Sequence, residues 1–364
     1  MKPYVPDLLP LKNLDWMKFV ELIGPSNSEL ARYDGIIQSM INPHVLLSPL
    51  MTNEAVLSSR IEGTQATLEE VLEFEASAKD EIDTEREKDI QEIINYRKST
   101  FHAVDWLKEK PMTLNMIKEI HGILLDSVRG KNKGRGQFRT VQNWIGKSGA
   151  SIEEAGYIPP EPLKLTEFLS NFEKYIHSKE KDLLVQLAIV HAQFEIIHPF
   201  VDGNGRVGRI LIPLFLFEKG ALSSPTFYIS EYLELNRDEY VNRLRAITDE
   251  NRWEEWINFF LEAIYYQSKK NILNAKAILD LYQSKKERIQ QITRSQYIVK
   301  IIDSLFIHPI FSSTDFIKES GIPRRSALRF LDIMEKDGII SILKPQKGNN
   351  PAIFMFNKLI EIIK

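Results

Sequence analysis

The segment from Asp182 to His198 is the feature that most limits what this chain can fold into. Apolar residues recur along it at helical spacing, which predicts one long apolar helix. Pro199 disfavours helical conformation at the residue before it, so the helix should end near His198. The same periodicity predicts further helices over 65–78, 86–108, 113–128, 162–177, 209–219, 236–248 and 253–267. We therefore expect a mainly α fold.

The composition excludes several classes of protein. The chain has 364 residues, and 47 basic against 50 acidic residues leave a net charge of −3, which does not require a polyanionic partner for the whole chain. The absence of cysteine excludes disulfides, thiolate metal sites, iron–sulfur clusters and a cysteine nucleophile. The first ten residues do not resemble a signal peptide, and the apolar run 210–217 is far shorter than the roughly 20 residues of a membrane span. We expect a cytoplasmic protein of two or three domains.

One region departs from the helical pattern, and a second, helical region is set apart by its charge. Residues 129–161 are rich in Gly, Lys and Ser and contain the short apolar piece Val141–Ile145, which predicts a loop carrying a small hairpin. Residues 268–290 are charged and predict a helical connector.

The last 74 residues have a pattern of their own. Residues 291–364 hold 11 basic and 7 acidic residues, a net of +4 on a chain whose total is −3. Helices predicted over Tyr297–Leu305, Ser313–Glu319 and Arg324–Lys336, followed by two strand-like runs, indicate a winged helix-turn-helix. In DNA-binding versions the last of these helices enters the major groove, and it would carry Arg324, Arg325 and Arg329. DNA binding and a role limited to dimerisation or docking both stay open for this tail.

The stretch from His198 to Arg209, HPFVDGNGRVGR, holds the groups that a phosphate site needs. The loop 203–205 can present consecutive amides as a concave anion nest. A helix that begins near Arg206 would point its positive end at the same place, with Arg206 and Arg209 on one face. Together these features predict a polyphosphate ligand.

Two neighbouring residues would supply chemistry to that ligand. Asp202 offers a carboxylate oxygen suited to Mg²⁺, which commonly bridges a carboxylate and a phosphate. His198 is the one group nearby whose residue type has an unperturbed pKa suited to a general base near neutral pH. We therefore predict Mg²⁺ at Asp202 and a general base at His198.

Other known patterns match this stretch only in part. Gly203-x-Gly205-x-x-Gly208 is formally a dinucleotide-binding fingerprint, but that fingerprint follows a strand, whereas this one follows a predicted helix. A calcium loop beginning at Asp202 would need glycine where Val207 stands and glutamate where Pro213 stands. Glu195-x-x-His198 resembles half of a di-metal carboxylate site and lacks the matching second half. A plain glycine turn between two core helices explains the glycines alone.

The stretch resembles the signature of the Fic (filamentation induced by cAMP) family, H-x-F-x-[DE]-G-N-G-R-x-x-R, at every specified position. Residues 30–75 are similar to the N-terminal region of that family and residues 110–265 to its core. The resemblance implies a Fic helical fold with a β-hairpin flap. It also implies a protein adenylyltransferase, which moves AMP from ATP to a Ser, Thr or Tyr hydroxyl of a target protein and releases pyrophosphate.

The resemblance assigns a role to each matching position. His198 would deprotonate the target hydroxyl, and Asp202 would hold Mg²⁺ on the α and β phosphates. Arg206 would hold the β phosphate and Arg209 the γ phosphate, while Phe200 would anchor the loop. The implied nucleotide-binding set is Gly203, Asn204, Gly205, Arg206, Val207, Gly208, Arg209 and Tyr240. The intact Gly-Asn-Gly argues against the variant of the family that acts as a kinase.

The hairpin and Tyr240 receive roles by the same resemblance. Residues 139–160 are similar to the Fic flap, which pairs with an extended segment of the target by β-augmentation. Ile145 and Gly146 would then lie where the flap fixes the target hydroxyl. Tyr240 would lie near the adenine, and a packed core tyrosine is the alternative.

The segment Thr52–Gly63 suggests a regulator. Thr52 or Asn53 would cap the start of a helix, and Gly63 would end it. Glu62 would lie in the last turn, where the helix dipole disfavours an anion, so a cationic partner elsewhere is predicted; a solvated surface glutamate is the alternative. Ser58-x-x-x-Glu62-Gly63 resembles the inhibitory motif [ST]-x-x-x-E-[GN] of the Fic family. The resemblance implies that Glu62 pairs with Arg209 and takes the place of the γ phosphate.

These observations give a domain plan and a set of functions. We predict an N-terminal helical region (1–110) with an inhibitory helix at about 52–63, a Fic catalytic core (111–267), a connector (268–290) and a winged-helix-like domain (291–364). The expected function is Mg²⁺-dependent protein adenylylation under the control of Glu62. Removal of AMP, transfer from another nucleotide, and a nucleotide-sensing DNA-binding regulator remain alternatives. Self-modification and a homodimer are also left open.

Overall fold

The structure, a computed structural model, describes residues 2–76, 84–126, 134–146, 151–348 and 350–364. Helices dominate it, as predicted. They are α1 (Val20–Ser39), α2 (Pro43–Ile61), α3 (Leu68–Ala76), α4 (Thr84–Leu107), α5 (Leu114–Leu124), α6 (Leu165–Ile176), α7 (Leu183–Ile197), α8 (Asn204–Glu218), α9 (Ser230–Leu235), α10 (Arg237–Glu250), α11 (Trp253–Thr293), α12 (Ile298–Ile307), α13 (Ser313–Ser320), α14 (Arg324–Lys336) and α15 (Asn357–Ile363). Three short strands follow α12, namely β1 (Ile310–Ser312), β2 (Ser341–Lys344) and β3 (Ile353–Met355). Among the described residues, no helix combines the length and apolar character needed to cross a membrane.

Helix α7 lies at the centre of the core. The Asp182 carboxylate caps it by accepting from the backbone amides of Leu184 and Val185. The helix is apolar on nearly all sides, and α6, α8 and α11 cover it. Trp256 of α11 is fully buried and donates its indole N–H to the Ala188 carbonyl. This packing fixes the end of α7, where His198 lies.

Helix α2 is longer than the predicted helix over 52–63. It begins at Pro43, with Asn42 as its N-cap, so Thr52 and Asn53 lie inside the helix and the predicted cap at these residues is wrong. The reason is that proline is well suited to the first helical turn and the apolar residues from Leu46 onward are buried against the core. Gly63 has a φ of 101° and ends the helix as predicted.

The predicted connector at 268–290 is helical but is not a separate element. Helix α11 runs unbroken for 41 residues, from Trp253 to Thr293. No glycine or proline interrupts this range, and apolar side chains such as Ala275, Ile278 and Ile289 remain fully buried beyond residue 267. One continuous helix therefore joins the preceding helical region to the tail.

The tail contains the three predicted helices and, beyond the prediction, strand β1 and helix α15. β3 lies between β1 and β2 in an antiparallel sheet, with Ile310 opposite Met355 and Ile342 opposite Phe354. The elements α12, β1, α13, α14, β2 and β3 follow the order of a winged helix-turn-helix, and that assignment stays a prediction. Strand β1 is only three residues long, which explains why periodicity did not reveal it.

The tail packs against the N-terminal region. Helix α12 lies on α2, and the Asn53 side chain donates to the Ile363 carbonyl of α15 over 2.8 Å. Ion pairs join Lys344 to Glu73 and Lys364 to Glu69 of α3. The C-terminal elements α12 and α15 thus pack against α2, the helix that has Glu62 as its C-cap.

Candidate functional site

His198 lies at the junction between α7 and the glycine loop. It caps α7 in the left-handed region, with a φ of 48°, which is uncommon outside glycine and suggests a constrained site. Its Nδ1 lies 3.3 Å from the carbonyl oxygen of Glu195, which can only accept, so Nδ1 carries the proton and Nε2 keeps its lone pair. Burial lowers the pKa of His198 to about 4. The imidazole is therefore neutral near pH 7 and can accept a proton at Nε2.

The loop after His198 is held by side chains on both of its faces. Asn204 bonds the backbone of Phe200 twice, accepting from its N–H and donating to its carbonyl, each over 2.9 Å. Phe200 is fully buried, as predicted, and stacks on His121 with ring centroids 3.7 Å apart. His121 accepts from the Gly136 amide at Nδ1, so its Nε2 donates to the Asp202 carbonyl over 3.0 Å. These contacts fix the loop before any ligand arrives.

The glycines of the loop allow a close approach to the N-terminus of α8. Gly203 has a φ of 78°, a left-handed conformation that glycine adopts at little cost, and it is the N-cap of the helix. A side chain at Gly205 would collide with the Glu62 carboxylate. The missing side chain at Gly205 therefore lets an anion, here the Glu62 carboxylate, lie against the first turn of α8, where the helix dipole favours negative charge.

Arg209 is the best-satisfied charged group of the site. Its side chain is 1% exposed and donates to Glu62 Oε1 over 2.6 Å, to Ser58 Oγ over 2.8 Å and to the Ser58 carbonyl over 2.8 Å. Burial alone would raise the pKa of Glu62, but the charge and hydrogen bond of Arg209 outweigh it and hold that pKa below its usual value. The pairing of Glu62 with Arg209 inferred from the motif is thus present, with Ser58 as a second anchor.

A chain of buried polar groups supports Arg209 from behind. His191 lies 3.3 Å from the Gly208 carbonyl at Nδ1, so its Nε2 accepts from the Tyr240 hydroxyl over 2.9 Å. Burial raises the pKa of the Tyr240 hydroxyl, and the nearby charge of Arg209 partly offsets that rise. Tyr240 is 4% exposed and packs against the rings of Trp256 and Phe259. This placement corresponds to the packed core tyrosine, so Tyr240 acts on Arg209 rather than lining an open adenine pocket.

Arg206 has a carboxylate partner that the motif did not predict. It donates to Glu92 of α4 over 2.7 Å, and both side chains are buried. Its other nitrogen lies 3.8 Å from Asp202 Oδ1. Asp202 itself is 45% exposed, and its Oδ1 accepts from the Gly203 amide over 2.7 Å. Both arginines of the motif are therefore charge-compensated by glutamates from N-terminal helices.

The predicted flap is anchored on the His198 loop. Arg139 donates to the His198 carbonyl over 2.9 Å and to the Pro160 carbonyl over 2.6 Å. Ile145 forms one antiparallel bridge with Tyr157, whose hydroxyl donates to the Ile196 carbonyl of α7 over 2.7 Å. Ile145 is 42% exposed beside Gly146, and the turn at 147–150 lies outside the described residues, as do 129–133 before the flap. The described part of the flap is therefore bonded to the His198 loop through Arg139 and is exposed at Ile145 and Gly146.

The tail arginines lie far along the chain from this site. Arg324, Arg325 and Arg329 are exposed on the first turns of α14. The structure does not bring them together with the residues 198–209.

Sequence reasoning missed four residues of the site, namely Glu92, His121, Arg139 and Glu195. Three of them lie far from the motif in sequence and reach it only through tertiary packing. Glu195 did carry a signal, because it precedes His198 by three residues and so lies on the same side of α7. That spacing was considered only for metal binding. Among the described residues, no cluster of three or more metal-binding side chains is present.

Comparison with known proteins places this site in a family. Two family models match the chain, Fic/DOC family N-terminal over residues 20–105 and Fic/DOC family over residues 111–216. Together they take in more than half of the chain. The chain belongs to the Fic/DOC family. The family predicted from the motif is thereby confirmed.

Curated relatives of this Fic protein match about a third of the chain or less. A probable protein adenylyltransferase of Aquifex aeolicus is 35% identical over 100 residues, 27% of this chain and 29% of that protein. Protein adenylyltransferase Fic of Aedes aegypti is 34% identical over 115 residues, 30% of this chain and 20% of that protein. The matched segment thus spans less than a third of the length of these relatives.

Solved structures confirm the Fic helical fold. A Fic family protein from Desulfovibrio desulfuricans G20 superposes with a TM-score of 0.60 at 18% identity and covers 98% of both chains. A Fic domain containing signaling protein from Bacteroides thetaiotaomicron VPI-5482 gives a TM-score of 0.54 at 17% identity, over 69% of this chain and 97% of that one. At this level of identity these likenesses concern the fold alone.

Proposed function

We propose that this Fic protein is a protein adenylyltransferase that moves AMP from ATP to a hydroxyl of a target protein and is autoinhibited by Glu62. The observation that carries the proposal is that the Glu62 carboxylate lies against Gly205 in the first turn of α8, bonds Arg209 and is near enough to His198 for their charges to interact, so these groups border one space. The relatives from Aquifex and Aedes, both named as adenylyltransferases, support the same reaction.

The residues of the site divide the work of such a transfer. His198, neutral near pH 7, accepts the proton of the attacking hydroxyl at Nε2. The amides at the start of α8 and the two arginines bind and orient the phosphates, so most of the catalysis is positioning and charge stabilisation. The loop needs little rearrangement, because Asn204, Phe200 and His121 already hold it.

Asp202 is the residue that would hold Mg²⁺. Its half-exposed carboxylate at the mouth of the site suits an ion that keeps several waters and binds one protein carboxylate plus phosphate oxygens. When bound, the ion would neutralise charge on the phosphates. A single carboxylate fits this use better than a closed protein cage would.

Glu62 would act as the brake by occupying the place of the terminal phosphate. Its carboxylate lies over Gly205 and holds Arg209, so a γ phosphate has neither space nor a free guanidinium. ATP would then bind in a nonproductive pose until the end of α2 moves. Removal of AMP from the target, with Glu62 orienting a water, is the second candidate because the same carboxylate faces the reacting space.

The deciding experiment uses the full chain, Mg²⁺ and ATP labelled at either the α or the γ phosphate. Wild type, Glu62→Gly and His198→Ala are compared. Label from the α position alone, higher in Glu62→Gly and absent in His198→Ala, is the expected result. Label from the γ position would indicate a kinase. No label from either position, with ATP bound, would favour AMP removal, and labelled UTP or GTP in place of ATP tests the nucleotide.

The target would dock along the flap. Ile145 uses its own N–H and C=O in the bridge to residues 156–157, so the exposed backbone of Gly146 beside it is where a strand of the target would be added, a mode that demands little of the target sequence. The acceptor hydroxyl can belong to another protein or to a second copy of this chain, and mass spectrometry of the labelled protein distinguishes these. The lack of cysteine is in keeping with a cytoplasmic site of action.

The tail is a candidate DNA-binding element. The support is the exposure of Arg324, Arg325 and Arg329 on α14 and the net positive charge of 291–364. A gel-shift at moderate salt tests it, with Arg324→Ala/Arg325→Ala as the matched control. Retardation that the double variant loses is expected, and no retardation of wild type would contradict it.

A further inference from the structure

Glu195 is a carboxyl of the site that the proposed reaction leaves unused. It lies in the last turn of α7, three residues before His198. Its Oε1 is buried and has no hydrogen-bond partner among the residues that the structure describes. Buried polar atoms without partners are rare and costly, so such an atom at a functional site calls for an explanation.

The Glu195 carboxyl faces the same helix as Glu62. A side chain at Gly208 would collide with Glu195 Oε1, just as one at Gly205 would collide with Glu62 Oε1. Residues 205 and 208 are one turn apart, so the two carboxyls lie along one face of α8. The Arg209 guanidinium lies close enough to both for its charge to lower the pKa of each.

At Arg209 the site therefore holds one buried cation with two acids, Glu62 and Glu195, within reach of its charge. Arg209 bonds Glu62 directly, while burial, with a further contribution from the Glu62 charge, raises the pKa of Glu195 to about 8. The other titratable groups that face Glu195 are Tyr240 from α10 and the histidines of its own helix. Burial raises the pKa of Tyr240 and lowers that of His191 to about 3 and of His198 to about 4, so all three are neutral near pH 7.

We propose that Glu195 is a positioning residue that serves as the second counter-ion of Arg209. When Glu62 leaves and the site is empty, a buried guanidinium would lack an anion, and Glu195 is the neighbouring carboxyl that can ionise to compensate it. When a phosphate reaches Arg209, two anions would compete for one cation, and the Glu195 carboxylate takes up a proton from solvent. The protonated acid can then donate a hydrogen bond beside the phosphate instead of repelling it.

This inference rests on the proposed nucleotide site and predicts that binding takes up a proton. The test is calorimetric titration of MgATP into full-length Glu62→Gly in two buffers of different ionisation enthalpy. We expect Glu62→Gly to take up more protons than Glu62→Gly/Glu195→Gln, by up to about one per ATP. We also expect the affinity of Glu62→Gly for MgATP to fall as pH rises, by up to about tenfold per pH unit, between the pKa of Glu195 in the ATP-free protein and its higher pKa in the complex. The Glu62→Gly/Glu195→Gln variant should lack this fall.

Two controls separate ionisation from packing. Glu62→Gly/Glu195→Asp keeps an acid and should restore the extra proton uptake. AMP, which lacks the terminal phosphates, should bind to Glu62→Gly without the extra proton uptake.

The outcomes distinguish this inference from the proposed function. Equal proton uptake by Glu62→Gly and its Gln double variant, with both binding MgATP, would overturn the role of Glu195 and leave the nucleotide site intact. An absence of MgATP binding to Glu62→Gly would overturn both.

Discussion

Replacing Glu62 by glycine tests how much one ion pair restrains the site. The change removes the carboxylate that lies over Gly205 and accepts from Arg209 over 2.6 Å. Glycine is well tolerated at this position, because residue 62 is the C-cap of α2 and is followed by a glycine. The substitution therefore frees Arg209 with little cost to the helix.

The size of the effect follows from the exposure of the two partners. A hydrogen bond to a charged group contributes about 1.5–3 kcal/mol, whereas exposed ion pairs contribute about 0.2–1 kcal/mol. Arg209 is 1% exposed but the Glu62 side chain is 38% exposed, so we take the contribution of the Glu62–Arg209 pair as about 2 kcal/mol, toward the lower end of the first range. Because about 1.4 kcal/mol corresponds to a factor of ten, productive ATP binding should rise about 30-fold.

The assay is the initial rate of AMP incorporation from α-labelled ATP, into the chain itself and into proteins of a cell extract. Glu62→Gln, which keeps the shape but not the charge, should give an intermediate rate, and glycine at the exposed Glu21 of α1 serves as the control. Equal rates for wild type and Glu62→Gly, with both folded and both binding MgATP, would refute the reasoning.

Three further predictions concern the base, the core and the tail. His198→Ala should lower AMP transfer by about 100- to 10,000-fold at unchanged MgATP affinity, and a rate close to wild type would exclude His198 as the base. Because burial lowers the pKa of His198 to about 4, the wild-type rate should not change through titration of His198 above about pH 5. Burial raises the pKa of Glu54 from 4.5 to about 7, so the folded state keeps a proton that the unfolded state releases, and the free energy of unfolding should fall by up to about 3 kcal/mol as pH rises between these values. Urea unfolding of Glu54→Gln should lack this part of the pH dependence, and identical curves would contradict it. Asn53→Ala removes the bond to the Ile363 carbonyl, worth about 1 kcal/mol, and should raise AMP incorporation by up to about fivefold through a looser α2, whereas Asn27→Ala on α1 should not.

The local sequence predicted the parts of the site that depend on short-range geometry. The end of α7 at His198, the left-handed Gly203 and the start of α8 all follow from backbone preferences of Pro and Gly within a dozen residues. The pairing of Glu62 with Arg209 was reached through the family resemblance, supported by the unfavourable position of an acid at a helix C-terminus.

The remaining contacts depend on packing that no local pattern encodes. Glu92 reaches Arg206 across 114 positions of sequence, and nothing near Glu92 distinguishes it from the other acids of α4. The start of α2 was misplaced because buried apolar residues from Leu46 onward, rather than a cap at Thr52, decide where that helix begins. The family resemblance predicted that Tyr240 lies near the adenine, whereas the aromatic cluster around Trp256 holds it in the core.

The unbroken course of α11 limits how the two ends of the molecule can move. At 1.5 Å per residue its 41 residues span about 60 Å, and its first turns pack against the rings behind Arg209. A continuous helix transmits a rotation of the tail as well as a displacement, which a flexible linker would not. Because α12 and α15 also pack on α2, a movement of the tail would displace the helix that precedes Glu62. A partner that binds the tail would therefore also act on α2, after which the proposed inhibitory residue Glu62 follows directly.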